Sequence, residues 1–203
     1  EEFPDSVFIE DAALCLPEGV VMLRPGTPSR TGESAQLVPE LAAMGLHIHP
    51  HGSDGYIDGG DILVTDSAVL VGLSSRTDRA GFEWLKALLQ PWDYRVMAVE
   101  TPQQVLHFKS ECCVLDSSTI MATSRLAGEA CFSGFRVLTV PSGEEPAANS
   151  IRVNDSLLIP DGFPQTADML AREGYSVVTV PVSQASLLDG GLSCMSLRFR
   201  RCD

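Results

Sequence analysis

The stretch IDGGDILVTDSAVLVGLSSRTDRAGFEWLKALLQPWDYRVMAV, residues 57–99, decides the fold. It opens with an apolar strand, Ile57-Asp58-Gly59-Gly60-Asp61-Ile62-Leu63-Val64, and a second follows at Val69-Leu70-Val71-Gly72. A helix comes next: Asp78 supplies its N-cap, Phe82, Leu85, Leu88 and Leu89 fall on one face, and Pro91 stops it. Tyr94 to Val99 closes the segment as a third strand. Two strands, a helix and a strand make an α/β unit, not a blade of a pure β-propeller.

The same order recurs on both sides. The first segment runs from Pro4-Asp5-Ser6-Val7-Phe8-Ile9-Glu10-Asp11 through Gly19 to Arg24 and ends at Leu46-His47-Ile48-His49. Its helix, Ser34 to Met44, contains Pro39, which predicts a bend or a late start. The third runs from Leu106-His107-Phe108-Lys109-Ser110 to Phe135–Val140, with a weak helical stretch near Ser124 to Ala130. The fourth runs from Ala147-Ala148-Asn149-Ser150-Ile151 through Leu157-Leu158-Ile159. Its helix has Pro164 near the start and Gly174 just after the end, and Tyr175 to Val180 closes it. A fifth begins at Leu188, sets Cys194 at the start of a short strand ending at Phe199, and stops at Asp203 without helix or closing strand. Repeats spaced by about 40 to 50 residues mark a radial or stacked architecture. The expectation is one catalytic domain over residues 1–203, a closed α/β ring whose fifth unit lacks a strand and helix that would lie upstream of Glu1.

Composition narrows the partners. The chain has 203 residues, 44% of them apolar, enough for one sizeable core. Its 14 basic and 27 acidic residues give a net charge of −13, which argues against nucleic acid or an anionic membrane. The six cysteines form no C-x-x-C pair, and Cys112 and Cys113 are adjacent, so reduced thiols in a cytoplasmic protein are expected. No apolar run is long enough to span a membrane.

In such a ring the first strand of each unit points one end toward the axis. That gathers Asp5, Glu10, Asp11, Asp58, His107 and Cys194 around one cavity. A Cys/His pair suggests a thiolate nucleophile with an imidazole acid/base. The carboxylates would repel that thiolate, but they suit a cationic substrate such as a guanidinium, which accepts paired carboxylates. Each residue also has a plainer reading. Asp5 and Asp11 could sit at a turn and a strand edge, Asp58 and Asp61 could be turn formers, and His107 and Cys194 could be core residues. Arg30 and Arg76 follow strand ends, as surface charges or as ligands of a substrate carboxylate. His47, His49 and His51 alternate at a strand end, where a metal is the lesser reading and a solvated loop the greater.

Taken together, the pieces Phe3–Asp11, Arg24–Arg30, Asp58–Asp61, Arg76-Thr77, Leu106–Ser110, Ala147–Asn149 and Asp189–Cys194 resemble the dimethylarginine dimethylaminohydrolases of the arginine-deiminase-like (pentein) superfamily, in the family's order. The resemblance implies a five-fold pseudosymmetric α/β propeller that hydrolyses Nω-methylated arginine to citrulline and dimethylamine without metal or cofactor. It implies Cys194 as nucleophile and His107 as acid/base. Asp11 and Asp58 would hold the guanidinium, with Glu10 supporting. Asp5 would take the α-amino group, Arg30 and Arg76 the α-carboxylate, and the backbone near Leu188 would line the site. It is compatible with a homodimer. Deimination of arginine or another small guanidine, and an inactive guanidine-binding fragment, are the competing readings.

Overall fold

Strands β1 (Ala13–Leu16), β2 (Gly19–Met22) and β3 (Ile48–His49) form the first of four three-stranded sheets in the computed structural model, which describes residues 2–199. The second contains β4 (Ile62–Val64), β5 (Val69–Leu73) and β6 (Val96–Glu100). The third contains β7 (Cys112–Val114), β8 (Thr119–Ala122) and β9 (Arg136–Thr139). The fourth contains β10 (Ile151–Val153), β11 (Ser156–Pro160) and β12 (Ser176–Val180). In every sheet the first two strands are antiparallel and the third returns parallel to the second. A parallel return needs a crossover of a dozen or more residues. Helices α1 (Glu33–Ala43), α2 (Arg79–Leu89) and α3 (Pro164–Arg172) supply it in units one, two and four.

Two local expectations need correction, and a third is narrowed. Helix α1 runs through Pro39, so of the expected bend or late start the late start does not occur. Pro39 and Ala35 are both exposed, so the carbonyl left without an N–H donor faces water. The weak helix near Ser124 to Ala130 does not form, and turns followed by a 3-10 turn at Ala130–Phe132 take its place. A short stretch ending at Gly128 cannot repay helix nucleation, and Leu126 and Phe132 are buried without it. The strand expected from Cys194 to Phe199 is absent. After α4 (Ser183–Ser186) the chain makes turns through Met195 and pairs with no strand among the described residues. Cys202 lies outside those residues.

The segments expected to open each unit as strands contain 3-10 turns, Ile9–Ala12, Gly59–Asp61, Phe108–Ser110 and Glu145–Ala148, each just ahead of β1, β4, β7 and β10, and of the expected Ile57–Val64 only Ile62–Val64 is strand. In units two to four the residue just before the turn, Asp58, His107 or Glu144, is already buried, and the turns bring polar side chains such as Glu10, Asp11 and Asp61 together inside the protein.

The core lies between neighbouring units. Val69 and Val71 of β5 pack with Leu14, Val21 and Leu85, whereas Leu70 between them packs with Phe108, Ile120 and Phe132. In β8, Ile120 and Ala122 face unit two while Met121 faces Leu157 and Ile159 of unit four. Strands buried on both faces read as continuous apolar runs, which explains the missing alternation in these stretches. The cap expected at Asp78 is present: its Oδ1 accepts the N–H of Gly81 at 2.7 Å and that of Tyr56 at 3.2 Å. Asp78→Ala should therefore cost about 1 to 2 kcal/mol in denaturant melts, with Asp78→Asn recovering most of it. Equal stability of Asp78→Ala and wild type would remove this contact from the account.

Candidate active site

Asp58 precedes the second unit's 3-10 turn and is fully buried. Its N–H donates to Thr77 Oγ1 at 3.1 Å, and its Oδ1 accepts the N–H of Gly26 at 2.7 Å. The other oxygen, Oδ2, accepts from His107 Nε2 at 2.9 Å. His107 holds the matching position before the third unit's turn, fixed by the Phe108 N–H donating to Asp61 Oδ1 at 2.8 Å. Asp11, on the first unit's turn, accepts the Gly60 N–H at 2.9 Å through Oδ1, which lies 3.8 Å from His107 Nε2. A Cβ on Gly60 would stand 2.8 Å from His107 Cγ, so only glycine lets these turns meet. The ligand atoms of Asp11, Asp58 and His107 all lie within 4.8 Å of one another.

Burial opposes the positive charge of His107, but its hydrogen bond with Asp58 and the fields of Asp11, Asp61 and Asp58 outweigh it and hold the imidazole up at about 9. Burial also pushes Asp61 up to about 6.

Cys194 meets this cluster through unit one. Its carbonyl accepts the Glu10 N–H at 3.1 Å. The Glu10 carboxylate takes Lys109 Nζ at 2.6 Å and Ser193 Oγ at 2.8 Å. The thiol receives the N–H of Gly191 at 3.4 Å and faces Asn149 Nδ2 at 3.7 Å. Burial first, then the charge of Glu10, pushes the thiol above its ordinary value. A cleft of about 400 Å³ borders both the segment leading into His107, at Val105 and Leu106, and the Cys194 turn at Gly190 and Gly191.

Glu10, Asp11, Asp58, His107 and Cys194 thus converge. Arg30 joins them from inside the protein: it is 3% exposed, and its guanidinium binds Asp11 Oδ2, both oxygens of Glu33 and the Phe8 carbonyl at 2.6 to 2.8 Å. The arginine expected to take a substrate carboxylate thus already shares its charge with two buried carboxylates. Asp5 and Arg76 are half-buried and Leu188 is exposed, and no side-chain hydrogen bond or ion pair ties them to the cluster among the described residues. His47, His49 and His51 do not converge as ligands. His49 contacts Trp92, His51 packs on Trp84 with ring centroids 4.0 Å apart and the planes tilted by 50°, and their Nε2 atoms bond the carbonyls of Glu18 and Gly55. Lys109, Asn149, Ser193 and Glu33 belong to the site although the sequence reading left them without a role. Lys109 was traceable as a cation beside His107 in a segment that enters a core.

A repeated α/β ring carrying a thiol, an imidazole and paired carboxylates at its axis defines a cysteine-dependent enzyme class of the pentein fold. A family model described as arginine deiminase matches residues 1–155, and the chain belongs to that family. It is 34% identical to the N(G),N(G)-dimethylarginine dimethylaminohydrolase of Pseudomonas aeruginosa over 98% of this chain and 78% of that protein. It is also 34% identical to the Streptomyces coelicolor enzyme of that name, over 98% of this chain and 76% of that one. A solved Pseudomonas aeruginosa structure, a mutant complexed with citrulline, superposes with a TM-score of 0.92 at 33% identity over 98% of this chain and 78% of that one. An amidinotransferase from Microseira wollei, 15% identical with a TM-score of 0.82 over 95% of this chain and 69% of that one, shares the fold.

The pairing of His107 with Asp58 sets a testable sign. An imidazole whose folded pKa lies above its unfolded value stabilises the fold fully below about pH 6.5, and that contribution disappears as pH rises through about 9. In NMR of histidine-labelled protein, His107 should titrate near 9, and Asp58→Asn should bring it down by at least one unit. A His107 titration unmoved by Asp58→Asn would show that the pair does not set its charge.

Proposed function

We infer that this protein hydrolyses Nω-dimethylated arginine to citrulline and dimethylamine through a covalent intermediate on Cys194. The observation that carries the reading is the grouping of Asp11, Asp58 and His107 within 4.8 Å, joined to the Cys194 turn through Glu10. The 34% identity to enzymes named for this reaction supports it.

The chemistry follows from the charges. In the free protein burial and Glu10 keep the thiol protonated, and His107 carries its proton at neutral pH. A guanidinium bound against Asp11 and Asp58 brings a positive charge beside the sulfur, and the thiol releases its proton to solvent. The thiolate attacks the guanidinium carbon. The carbon–nitrogen bond to dimethylamine then breaks as His107 protonates the departing nitrogen, leaving a thiouronium. Neutral His107 takes a proton from water as the water oxygen adds to that carbon. The carbon–sulfur bond breaks, the thiolate leaves, the hydroxyl proton passes to solvent as the carbonyl forms, and citrulline departs. The carboxylates act by positioning, since they hold the carbon over the sulfur in a water-poor site.

Of the remaining contacts, Asp5 takes the substrate amino group and Arg76 its carboxylate, with the backbone at Leu188 closing the wall. Four of the five N–H donors of Arg30 are taken by Asp11, Glu33 and the Phe8 carbonyl, which leaves one on Nη1 for a substrate carboxylate. The five described cysteines are free, which fits a cytoplasmic enzyme, and no helix among the described residues is long and apolar enough to cross a membrane. The matching arginine deiminase model favours one second reading, release of ammonia from unmethylated arginine.

Citrulline release from asymmetric dimethylarginine and from arginine, measured side by side, separates the two. The methylated substrate should be preferred at least about tenfold in kcat/KM, and Cys194→Ala should lower its turnover by at least about 1000-fold. Preference for arginine would install the second reading, and release that survives Cys194→Ala would refute both.

A further inference from the structure

The carboxamide of Asn149 stands between two atoms of the nucleophile's turn. Its Oδ1 accepts the Ser193 N–H at 2.8 Å, which orients the amide so that Nδ2 faces Cys194 Sγ at 3.7 Å. The Gly191 N–H approaches the same sulfur at 3.4 Å. Two donors therefore converge on one thiol, from different units of the ring. Asn149 is itself held rigidly. It follows the 3-10 turn Glu145–Ala148, its N–H donates to the Pro146 carbonyl at 3.2 Å, and it is 6% exposed behind the fully buried Ala147 and Ala148. The approach is close enough that a Cβ on Gly191 would lie 2.4 Å from Asn149 Cγ, so glycine at 191 is what lets the amide reach the sulfur.

We propose that Asn149 is a catalytic residue: its Nδ2 and the Gly191 N–H form a fixed two-donor cradle that holds and stabilises the Cys194 thiolate. The need for one is visible in the surroundings. The charged groups facing the thiol are Glu10 and Asp11 from the first unit's turn and Lys109 from the third's. Burial and Glu10 raise the thiol, while the Gly191 N–H and Lys109 oppose them. A fixed donor pair stabilises sulfur charge at no cost in reorganisation, as preorganised dipoles do at other developing anions. The same cradle receives the charge again when the carbon–sulfur bond breaks. The proposal rests on Cys194 as the nucleophile assigned above, but it concerns the sulfur itself and is read without substrate.

The variants Asn149→Asp and Asn149→Ala separate support of the sulfur from support of the turn. Asparagine and aspartate both offer an oxygen to the Ser193 N–H, but aspartate turns an acceptor toward the sulfur where asparagine offers a donor. Iodoacetamide labelling of Cys194 across a pH series, read by peptide mass spectrometry, should have its midpoint raised by at least about one unit in Asn149→Asp. The midpoint should also rise in Asn149→Ala. kcat on dimethylarginine should fall at least about tenfold in both, with KM changed less than about threefold. Wild-type behaviour of Asn149→Asp beside a defective Asn149→Ala would mean that the amide only pins the turn, and wild-type behaviour of both would remove any role; either overturns the proposal. A measurement on the unmutated protein guards against misfolding. The Asn149 side-chain nitrogen resonance should move with the thiol titration and stop moving in Cys194→Ala, and a resonance flat through that titration would also overturn it. Labelling that follows the prediction while dimethylarginine is not turned over would leave the cradle standing and remove the substrate assignment.

Discussion

The carboxylate of Asp11 is the contact on which the ring depends. It is 5% exposed, and it joins three units: Arg30 of its own unit through Oδ2, the Gly60 N–H of the second and His107 of the third through Oδ1. A buried carboxylate is tolerated only when both oxygens are paired, so the pairing fixes how closely the turns approach. Each sheet has three short strands and buries apolar residues against those of neighbouring units. The apolar cores between units hold the periphery together, and the hydrogen-bonded turns hold the axis. The two systems meet in residue pairs such as Asp61 and Phe108, where a carboxylate bonds the backbone of a residue whose ring lies in the core.

The same pairing leaves the axis short of positive charge. Glu10, Asp11, Glu33, Asp58 and Asp61 are buried there, against Arg30, Lys109 and His107. The carboxylates hold the proton on His107 against the opposing effect of burial, while burial first and then the charge of Glu10 keep the thiol of Cys194 protonated. A guanidinium corrects the imbalance and makes the thiolate accessible in one step. Substrate binding and nucleophile activation are then the same electrostatic event.

The repeat was legible because strands buried on both faces leave unbroken apolar runs, and because Asp78, Pro164 and Gly174 punctuate the helices where the structure has them. The strand openings were not legible. In Ile57–Val64 the apolar ends Ile57 and Ile62–Val64 read as one strand, while Asp58-Gly59-Gly60-Asp61 between them are turn formers, and the 3-10 turn at Gly59–Asp61 is held by a hydrogen bond from another unit. The charged cluster could be listed from sequence, but its internal partners could not. Arg30 reads as a free cation until Glu33 and Asp11 are found folded onto it. Asn149 carries no charge, and nothing local ties it to a cysteine forty-five positions away.

The placement of Cys194 on a turn follows from this architecture. Ser193, its neighbour, is clamped from both sides: its N–H by Asn149 of the fourth unit, its hydroxyl by Glu10 of the first, which Lys109 of the third holds in turn. A strand would fix the backbone through one neighbouring sheet, whereas this turn is fixed by three units at once. Slippage of any one unit would misplace the sulfur relative to His107 and Asp58, and a misplacement near 1 Å is enough to cost about a hundredfold in rate. The position of Cys194 is a property of the assembled ring, so packing defects remote from the axis act on the proposed nucleophile through the same turns that create the site.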